Sequence, residues 1–353
     1  ANQKLTLSKL TLALDELAIN GQATVDLAKK LVVNANVDLG MLNLNPYLSE
    51  KPIQPVVEGN KKQPAKPIVW DGTPIDLSSL NSLNADIKVR STGLVINEIK
   101  LDENVLALNI KEGLATINLT KFGLYEGKGV GKVQINALKK PYQVSTEFKL
   151  TDISALPLLT DAAGFDKLMG KGNLEWQLTT TGTSQKEFVN ALNGTTAFSF
   201  NDGAVKGANI AALVRKAKDM LKGDLSAAAE GLNTGFDKSE KTDFSALTGS
   251  FTFNQGIGTN SDLALVSPLI RVSGSGDVNM PLTTVNYRLV TGIVDSIEGQ
   301  GTTDKSTGFK VPVKIKGPFH DVKVQLDLSK AAEEETKNKV KDKVKDKLKS
   351  LFG

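Results

Sequence analysis

The chain contains no cysteine and only one histidine in 353 residues. Without a thiol there is no disulfide, no zinc–thiolate site and no cysteine nucleophile. With one imidazole there is no histidine pair to hold zinc, and a Ser-His-Asp site would have to use His320. In "GPFHDVKV" His320 and Asp321 are neighbours at a strand start, where adjacent side chains point to opposite faces, so a turn histidine is the better reading. Aromatics make up 5%, with four Tyr and two Trp. That is too few for the aromatic girdles of an outer-membrane barrel. The net charge of +4 is small for this length, and no basic stripe with stacking aromatics runs along the chain, which argues against a nucleic-acid partner. No apolar run approaches the roughly 18–20 residues of a membrane helix, and no signal peptide opens the chain. The start, "ANQKL", lacks a methionine, so the sequence reads as a fragment or a processed product.

What the sequence has is alternation. Leu31, Val33, Ala35, Val37 and Leu39 share one face of a strand; so do Val133 and Ile135, and Leu174, Trp176 and Leu178. The same period runs through Phe148, through Phe198 and Phe200, Phe251 and Phe253, and Leu263 and Leu265. It returns in Val311, Val313 and Ile315 and in Val322, Val324 and Leu326. The intervening residues are Lys, Asn, Gln, Asp and Thr. Short turns such as "NDG", "KEG" and "NQG" separate the runs, predicting antiparallel meanders of roughly fifteen to eighteen strands. "EGKGVGKV" (126–133) fails as a phosphate loop, having Glu126 where the motif needs glycine and Val133 where it needs Ser or Thr. It reads as a glycine-rich turn, and "VSGSGDV" (272–278) as a bend or close backbone approach in a curved sheet. Nothing nominates a catalytic carboxylate pair, a metal or a cofactor, and the expectation is that the chain is not an enzyme.

Residues 46–74 hold six of the twelve prolines and read as a linker or long surface loop. Short helices are expected at 153–170 and 184–194, each ending at a glycine, and near 208–232. The third begins with Ile210, Leu213, Val214, Ala217 and Leu221 on one stripe, with Lys216 and Lys218 off it. It reads either as a cover for the sheet or as a gate whose lysines meet headgroups. The tail, 329–353, has Val340, Val344 and Leu348 on one stripe among seven lysines between 337 and 349, including Lys343 and Lys347. It reads either as a solvated helix or as a contact for anionic headgroups or a partner protein. A covering problem follows. Fifteen strands at about 4.8 Å span roughly 70 Å, whereas a fifteen-residue helix is about 22 Å long. Either the sheet folds onto itself or something outside the chain covers its apolar face.

Several phrases, in this order, resemble the AsmA family of Gram-negative envelope proteins: "VDLGMLNLNPYL" (37–48), "WDGTPIDLSSLNSLNADIKV" (70–89) and "LTKFGLYEGKGVGKVQINALKKPYQVSTEFKL" (119–150). They continue with "LNGTTAFSFNDGAVKGANIAALVRKAK" (192–218), "FSALTGSFTFNQGIGTNSDLALVSPLIRVSGSGDVNM" (244–280) and "VPVKIKGPFHDVKVQLDL" (311–328). The resemblance aligns the chain with the C-terminal half of such proteins, which are similar to TamB-like and bridge-like lipid-transfer proteins. It implies a long curved antiparallel sheet forming an open, gutter-like apolar groove with a few short amphipathic helices. It divides the chain into 1–45, the end of a preceding groove segment; the 46–74 loop; a groove domain at 75–328; and the tail. The implied role is a passive periplasmic conduit for phospholipid between inner and outer membrane. Its anchor would lie in the inner membrane, with an outer-membrane partner as a further implication. Val33, Val37, Val133, Ile135, Phe148, Leu174, Trp176, Phe198, Phe200, Phe251, Phe253, Leu263, Leu265, Val313, Ile315, Val324 and Leu326 would line the groove. Lys216, Lys218, Lys343 and Lys347 would meet headgroups or a partner. The other reading is a scaffold for outer-membrane protein assembly, with a sheet edge pairing client strands.

Overall fold

The computed structural model describes residues 4–14, 17–27, 30–47, 68–207, 240–268, 270–293 and 310–326. Strand accounts for 72% of these residues, so the chain is mainly β, as its alternation requires. Among the described residues seventeen strands belong to one hydrogen-bonded sheet. They are β1 (Lys4–Leu14), β2 (Leu17–Asp26), β3 (Leu31–Asn43), β4 (Leu83–Ile96), β5 (Ile99–Leu101), β6 (Asn104–Lys111), β7 (Leu114–Leu124), β8 (Gly127–Asn136) and β9 (Tyr142–Ser154). Then follow β10 (Leu168–Gly182), β11 (Asn193–Lys206), β12 (Lys241–Asn254), β13 (Ile257–Val266), β14 (Ile270–Asn279), β15 (Thr284–Ile293), β16 (Lys310–Pro318) and β17 (Lys323–Leu326). Two helices are described, α1 (Ala155–Ala163) and α2 (Gln185–Asn190). The chain divides into two compact units, unit 1 with residues 1–166, 171–198 and 252–257, and unit 2 with 167–170, 199–251 and 258–353.

In unit 1 the strands pair β1–β2–β3, then β4–β6–β7–β8–β9–β10, with the short β5 also on β4. All of these pairs are antiparallel. The seam between the two runs is not: β3 pairs with β4 in parallel, in register from Leu31↔Leu83 to Asn43↔Val95. The expectation of antiparallel meanders therefore fails at this one junction. Parallel neighbours need a crossover of a dozen residues or more, and the proline-bearing stretch supplies it. The first three strands and β4 consequently sit in one sheet. Asn45 clamps the junction, its amide nitrogen donating to the Asn97 carbonyl at 3.0 Å while its oxygen accepts the Asn97 amide. Arg90 on β4 forks onto Asp38 on β3 at 2.6 and 3.2 Å. The returning residues are also tied down. Ile75 N–H donates to Thr183 O, Lys186 N–H to Asp71 O, and Leu77 N–H to the buried Tyr142 hydroxyl.

Two-residue turns close hairpins where both central residues have positive φ, at Glu112–Gly113 (50°, 81°), Tyr125–Glu126 (44°, 67°) and Gln255–Gly256 (46°, 76°). "KEG" and "NQG" are therefore turns, and "EGKGVGKV" opens as one. "NDG" is not, because β11 runs straight through it to Lys206. Asp202 takes a left-handed φ of 46°, and Gly203 lies where a Cβ would meet Met169 O at 2.1 Å and the Phe244 ring at 2.5 Å. The motif lets neighbours approach closely without reversing the chain. His320 sits in the β16–β17 turn.

The helices are shorter than their patterns. α1 stops at Gly164, a left-handed cap at φ 65° whose N–H bonds Leu159 O and Thr160 O, and Leu168–Gly170 already belong to β10. Ser184 caps α2 by accepting from Glu187 N–H, and Glu187 in turn accepts from Thr183 N–H at 2.6 Å. The expected helix near 208–232 and the tail at 329–353 lie outside the described residues, as does most of the 46–74 loop.

Glycines on β8 make room for rings on its neighbours. A Cβ on Gly131 would lie 2.3 Å from the Phe148 ring, and one on Gly129 2.3 Å from Phe122. Phe148 in turn stacks on Trp176 with ring centroids 4.7 Å apart. Gly131→Ala is expected to lower stability by about 1–3 kcal/mol through overpacking. Phe148→Leu in the same chain should recover part of the loss, read as the midpoint of urea unfolding.

Candidate functional site

In a sheet, residues directly opposite one another across a pair share a face. Following the register through unit 1 gives four rows across nine strands. The first reads Leu12, Ile19, Leu39, Ser91, Asn104, Phe122, Gly129, Leu150, Leu174; the second Leu10, Gly21, Val37, Val89, Leu106, Leu119, Gly131, Phe148, Trp176. The third reads Leu7, Ala23, Ala35, Ile87, Leu108, Ile117, Val133, Thr146, Leu178; the fourth Leu5, Val25, Val33, Ala85, Ile110, Ala115, Ile135, Val144, Thr180. Apart from Ser91, Asn104 and two threonines, every member is apolar or glycine. Rows lie about 6.8 Å apart and strands about 4.8 Å, so the four rows cover on the order of 750 Å². The largest apolar patch on an ordinary monomer is roughly 300–600 Å². The opposite face is polar, with Gln134, Lys132, Glu147 and Lys88 in the intervening positions.

Among the described residues, cover comes from the two margins. On the first row, α1 inserts Leu158 against Phe122, Leu124, Leu150 and Ile153, with Leu101, Leu119, Tyr125, Leu174, Phe148 and Trp176 around them. On the fourth, Leu80 from the 3-10 turn Ser78–Asn81 packs on Ala85, Ile110 and Ala115. Between these margins Val37, Val89, Leu106, Leu119, Ile87, Leu108, Ile117 and Val133 are only half-buried. At the edge, Leu5 and Leu12 are 54% and 48% exposed. The polar exceptions have partners, save Asn104 Oδ1, which is buried without one. Asn104 Nδ2 donates to Ser91 Oγ at 2.7 Å, Ser91 Oγ to Gly93 O, and Trp176 Nε1 to Thr146 Oγ1 at 3.1 Å.

Seven expected groove residues, Val33, Val37, Val133, Ile135, Phe148, Leu174 and Trp176, fall in these rows. In unit 2, Gly274, Leu289, Val313 and Leu326 stand in one register row and Gly276, Tyr287, Ile315 and Val324 in the next. A Cβ on Gly274 would meet Leu263 at 2.7 Å, which puts Leu263 on the same side. Phe200, Leu265 and Val313 are buried, and Phe198, Phe251 and Phe253 half-buried. Ile210, Leu213, Val214, Ala217, Leu221, Lys216, Lys218, Lys343 and Lys347 lie outside the described residues, as does the Leu326 side chain. Composition did not single out Gly21, Gly129 and Gly131 as members of the apolar rows, although the alternate spacing of Gly129 and Gly131 in "EGKGVGKV" carries that signal.

Unit 1 is a broad β-sheet with one polar and one continuous apolar face, and the middle of the apolar face is half-buried among the described residues. The chain belongs to the AsmA family, which matches residues 1–263 and is a family of envelope proteins. It is similar to Protein AsmA of Escherichia coli (strain K12), 19% identical over 355 residues. That match covers 96% of this chain and 56% of the relative, so the chain spans little more than half the relative's length. No solved structure matches the chain. Among the described residues no helix is long and apolar enough to cross a membrane.

The clasp on α1 is titratable. Tyr125 Oη donates to Asp161 Oδ2 at 2.6 Å. Burial, with the Asp161 bond, pushes the Tyr125 hydroxyl up to about 12, and burial beside Asp262 does the same for Tyr287 in unit 2. An unfolded tyrosine titrates near 10. Between about pH 10 and 12 the folded chain keeps protons that the unfolded chain releases, so stability is complete below pH 10 and falls as pH rises through this window. The urea midpoint is expected to drop between pH 9 and 11.5. Tyr125→Phe should shrink that drop while costing about 1 kcal/mol at neutral pH.

Proposed function

We propose that this chain is a periplasmic segment of a passive hydrophobic conduit that carries phospholipid between the inner and outer membranes and supports outer-membrane biogenesis. The observation that supports the reading is the direction of the apolar rows. They run across the strands, so each strand hands an apolar path to the next. A two-chain lipid of about thirty methylenes costs roughly 24 kcal/mol to expose to water, at about 0.8 per methylene. A sheltered apolar strip removes most of that barrier and needs no catalytic group. The ligand is phospholipid or another acyl lipid, and the reading invokes no enzyme activity, cofactor or nucleic acid. Membership of an envelope family supports the location, and inner-membrane anchoring belongs to the proposal.

The test compares the two faces at adjacent positions. Val133→Asp puts a charge in the third apolar row, where it costs several kcal/mol against acyl chains, and Gln134→Asp puts the same charge on the polar face. The detergent-free protein is expected to yield phospholipid on extraction and mass spectrometry. Val133→Asp should lose that lipid and fail to restore the permeability barrier of a deletion strain, while Gln134→Asp keeps both. Thermal unfolding confirms that each variant is folded. If the protein extracts lipid-free and both variants restore the barrier equally, the conduit is wrong and the scaffold reading takes its place.

A further inference from the structure

We infer that unit 1 carries a binding site for an uncharged oligosaccharide on its polar face. A cleft of about 620 Å³ opens there, a size ordinary for small-molecule sites. Register builds its floor. Thr116, Gln134, Ser145 and Thr179 form one row across β7, β8, β9 and β10, and Leu114, Asn136, Gln143 and Thr181 form the next. The end wall comes from Ala191 and Asn193, where the chain leaves α2, and from Gln255 in the β12–β13 turn. Asn193 fastens these two connections, its Oδ1 accepting Gln255 N–H at 3.1 Å and its Nδ2 donating to Ala191 O at 2.7 Å. Gly256 N–H adds a bond to Leu192 O at 2.8 Å. The wall is therefore fixed by the fold itself.

Among the described residues, the polar side chains lining this cleft are all amides and hydroxyls. Such groups both donate and accept, as a sugar hydroxyl does, whereas an ammonium only donates and a carboxylate only accepts. The composition belongs to these two rows and not to the face as a whole. One row further along the strands Lys132 stands opposite Glu147, and beyond it Lys149 stands opposite Glu175. Gln134, Gln143, Thr179 and Thr181 are exposed and Thr116 and Ser145 half-buried, so their polar atoms are within reach of a ligand. Leu114, 48% exposed, offers the C–H face of a sugar ring an apolar contact. A peptide strand adds to a free sheet edge through its backbone. This floor is instead four strands already paired with one another, so recognition falls to the side chains. The inference is independent of the conduit reading, because these rows face away from the apolar strip.

The experiment is calorimetric titration of the full chain with maltotetraose and with tetra-N-acetylchitotetraose, beside tetragalacturonic acid as an anionic counterpart. Saturable binding of at least one neutral sugar is expected. The acidic one should bind about tenfold more weakly or worse, since its carboxylates would lose water without a charged partner. A neutral hydrogen bond contributes about fivefold, so Ser145→Ala with Thr179→Val should weaken binding about 25-fold. Gln143→Glu keeps the shape but turns a donor into a second acceptor, and should weaken it about tenfold. Asn118→Ala with Gln177→Ala removes amides from the neighbouring row of the same face and should cost less than about twofold. Thermal unfolding and extracted lipid should stay unchanged in all three, which separates lost sugar binding from lost folding and from any failure of the conduit. The proposal is overturned if neither neutral sugar gives saturable binding, or if the acidic tetramer binds as tightly. It is also overturned if the neighbouring-row variant loses as much as the cleft variants do.

Discussion

Parity along the strands is the constraint on which the rest of this structure depends. Side chains alternate with a period of two, so a slip of one residue anywhere would send every later apolar side chain to the wrong face. Nine strands of unit 1 keep the same parity over four rows. Where the backbone must twist or bend, the sheet inserts a bulge and recovers its phase. Ser8 and Lys9 stand against Gln22, Thr120 and Lys121 against Val130, and Thr151 and Asp152 against Asn173. In each case the next residue on both strands, Leu10, Phe122 and Ile153 among them, is back on the apolar side. Asp152 adopts a φ of 56° and its N–H is met by Asn173 Oδ1, so this distortion has its own local support.

Parity also explains what the few helices do. α1 is an excursion between two strands that are already paired, β9 and β10, and it folds back onto the margin they share. Leu80 acts at the other margin from a single 3-10 turn. Leu119, Phe148 and Trp176 of the second row pack around the α1 cluster and Ile87 and Leu108 of the third around the Leu80 cluster, while Val37, Val89, Leu106, Ile117 and Val133 between them are half-buried among the described residues. Apart from the buried Asn104 Oδ1, the polar groups in the rows are bonded to one another or to backbone, through Asn104 Nδ2, Ser91, Trp176 and Thr146. They interrupt the apolar surface less than their chemistry alone would suggest.

Much of this was legible in the sequence, because period-two alternation survives without knowledge of any partner. Val33, Val37, Val133, Ile135, Phe148, Leu174 and Trp176 could be assigned to one face from their neighbours alone. What could not be read were features set by distant contacts. "NDG" has the chemistry of a turn, but its Asp-Gly serves a close approach to Met169 and Phe244. The helix pattern running through 153–170 ignores Gly164 and the demand of β10 for Leu168. The parallel junction was hidden because strand direction leaves no trace in alternation; only the length of the 44–82 connection hints at it. Cross-strand charge pairing likewise emerges only once register is known, since Asp38 and Arg90 lie far apart along the chain.

The parallel junction also has a mechanical meaning. In a hairpin the two chain ends lie side by side, so tension transmitted through the backbone peels the pair open one hydrogen bond at a time. Asn43 and Leu83, the ends joined by the crossover, lie at opposite ends of the β3–β4 pair. Tension entering there loads the whole registered length in shear, with Arg90–Asp38 and the Asn45 clamp sharing the strain. Among the strand pairs of unit 1, whose other members are antiparallel, this parallel seam resists being unzipped.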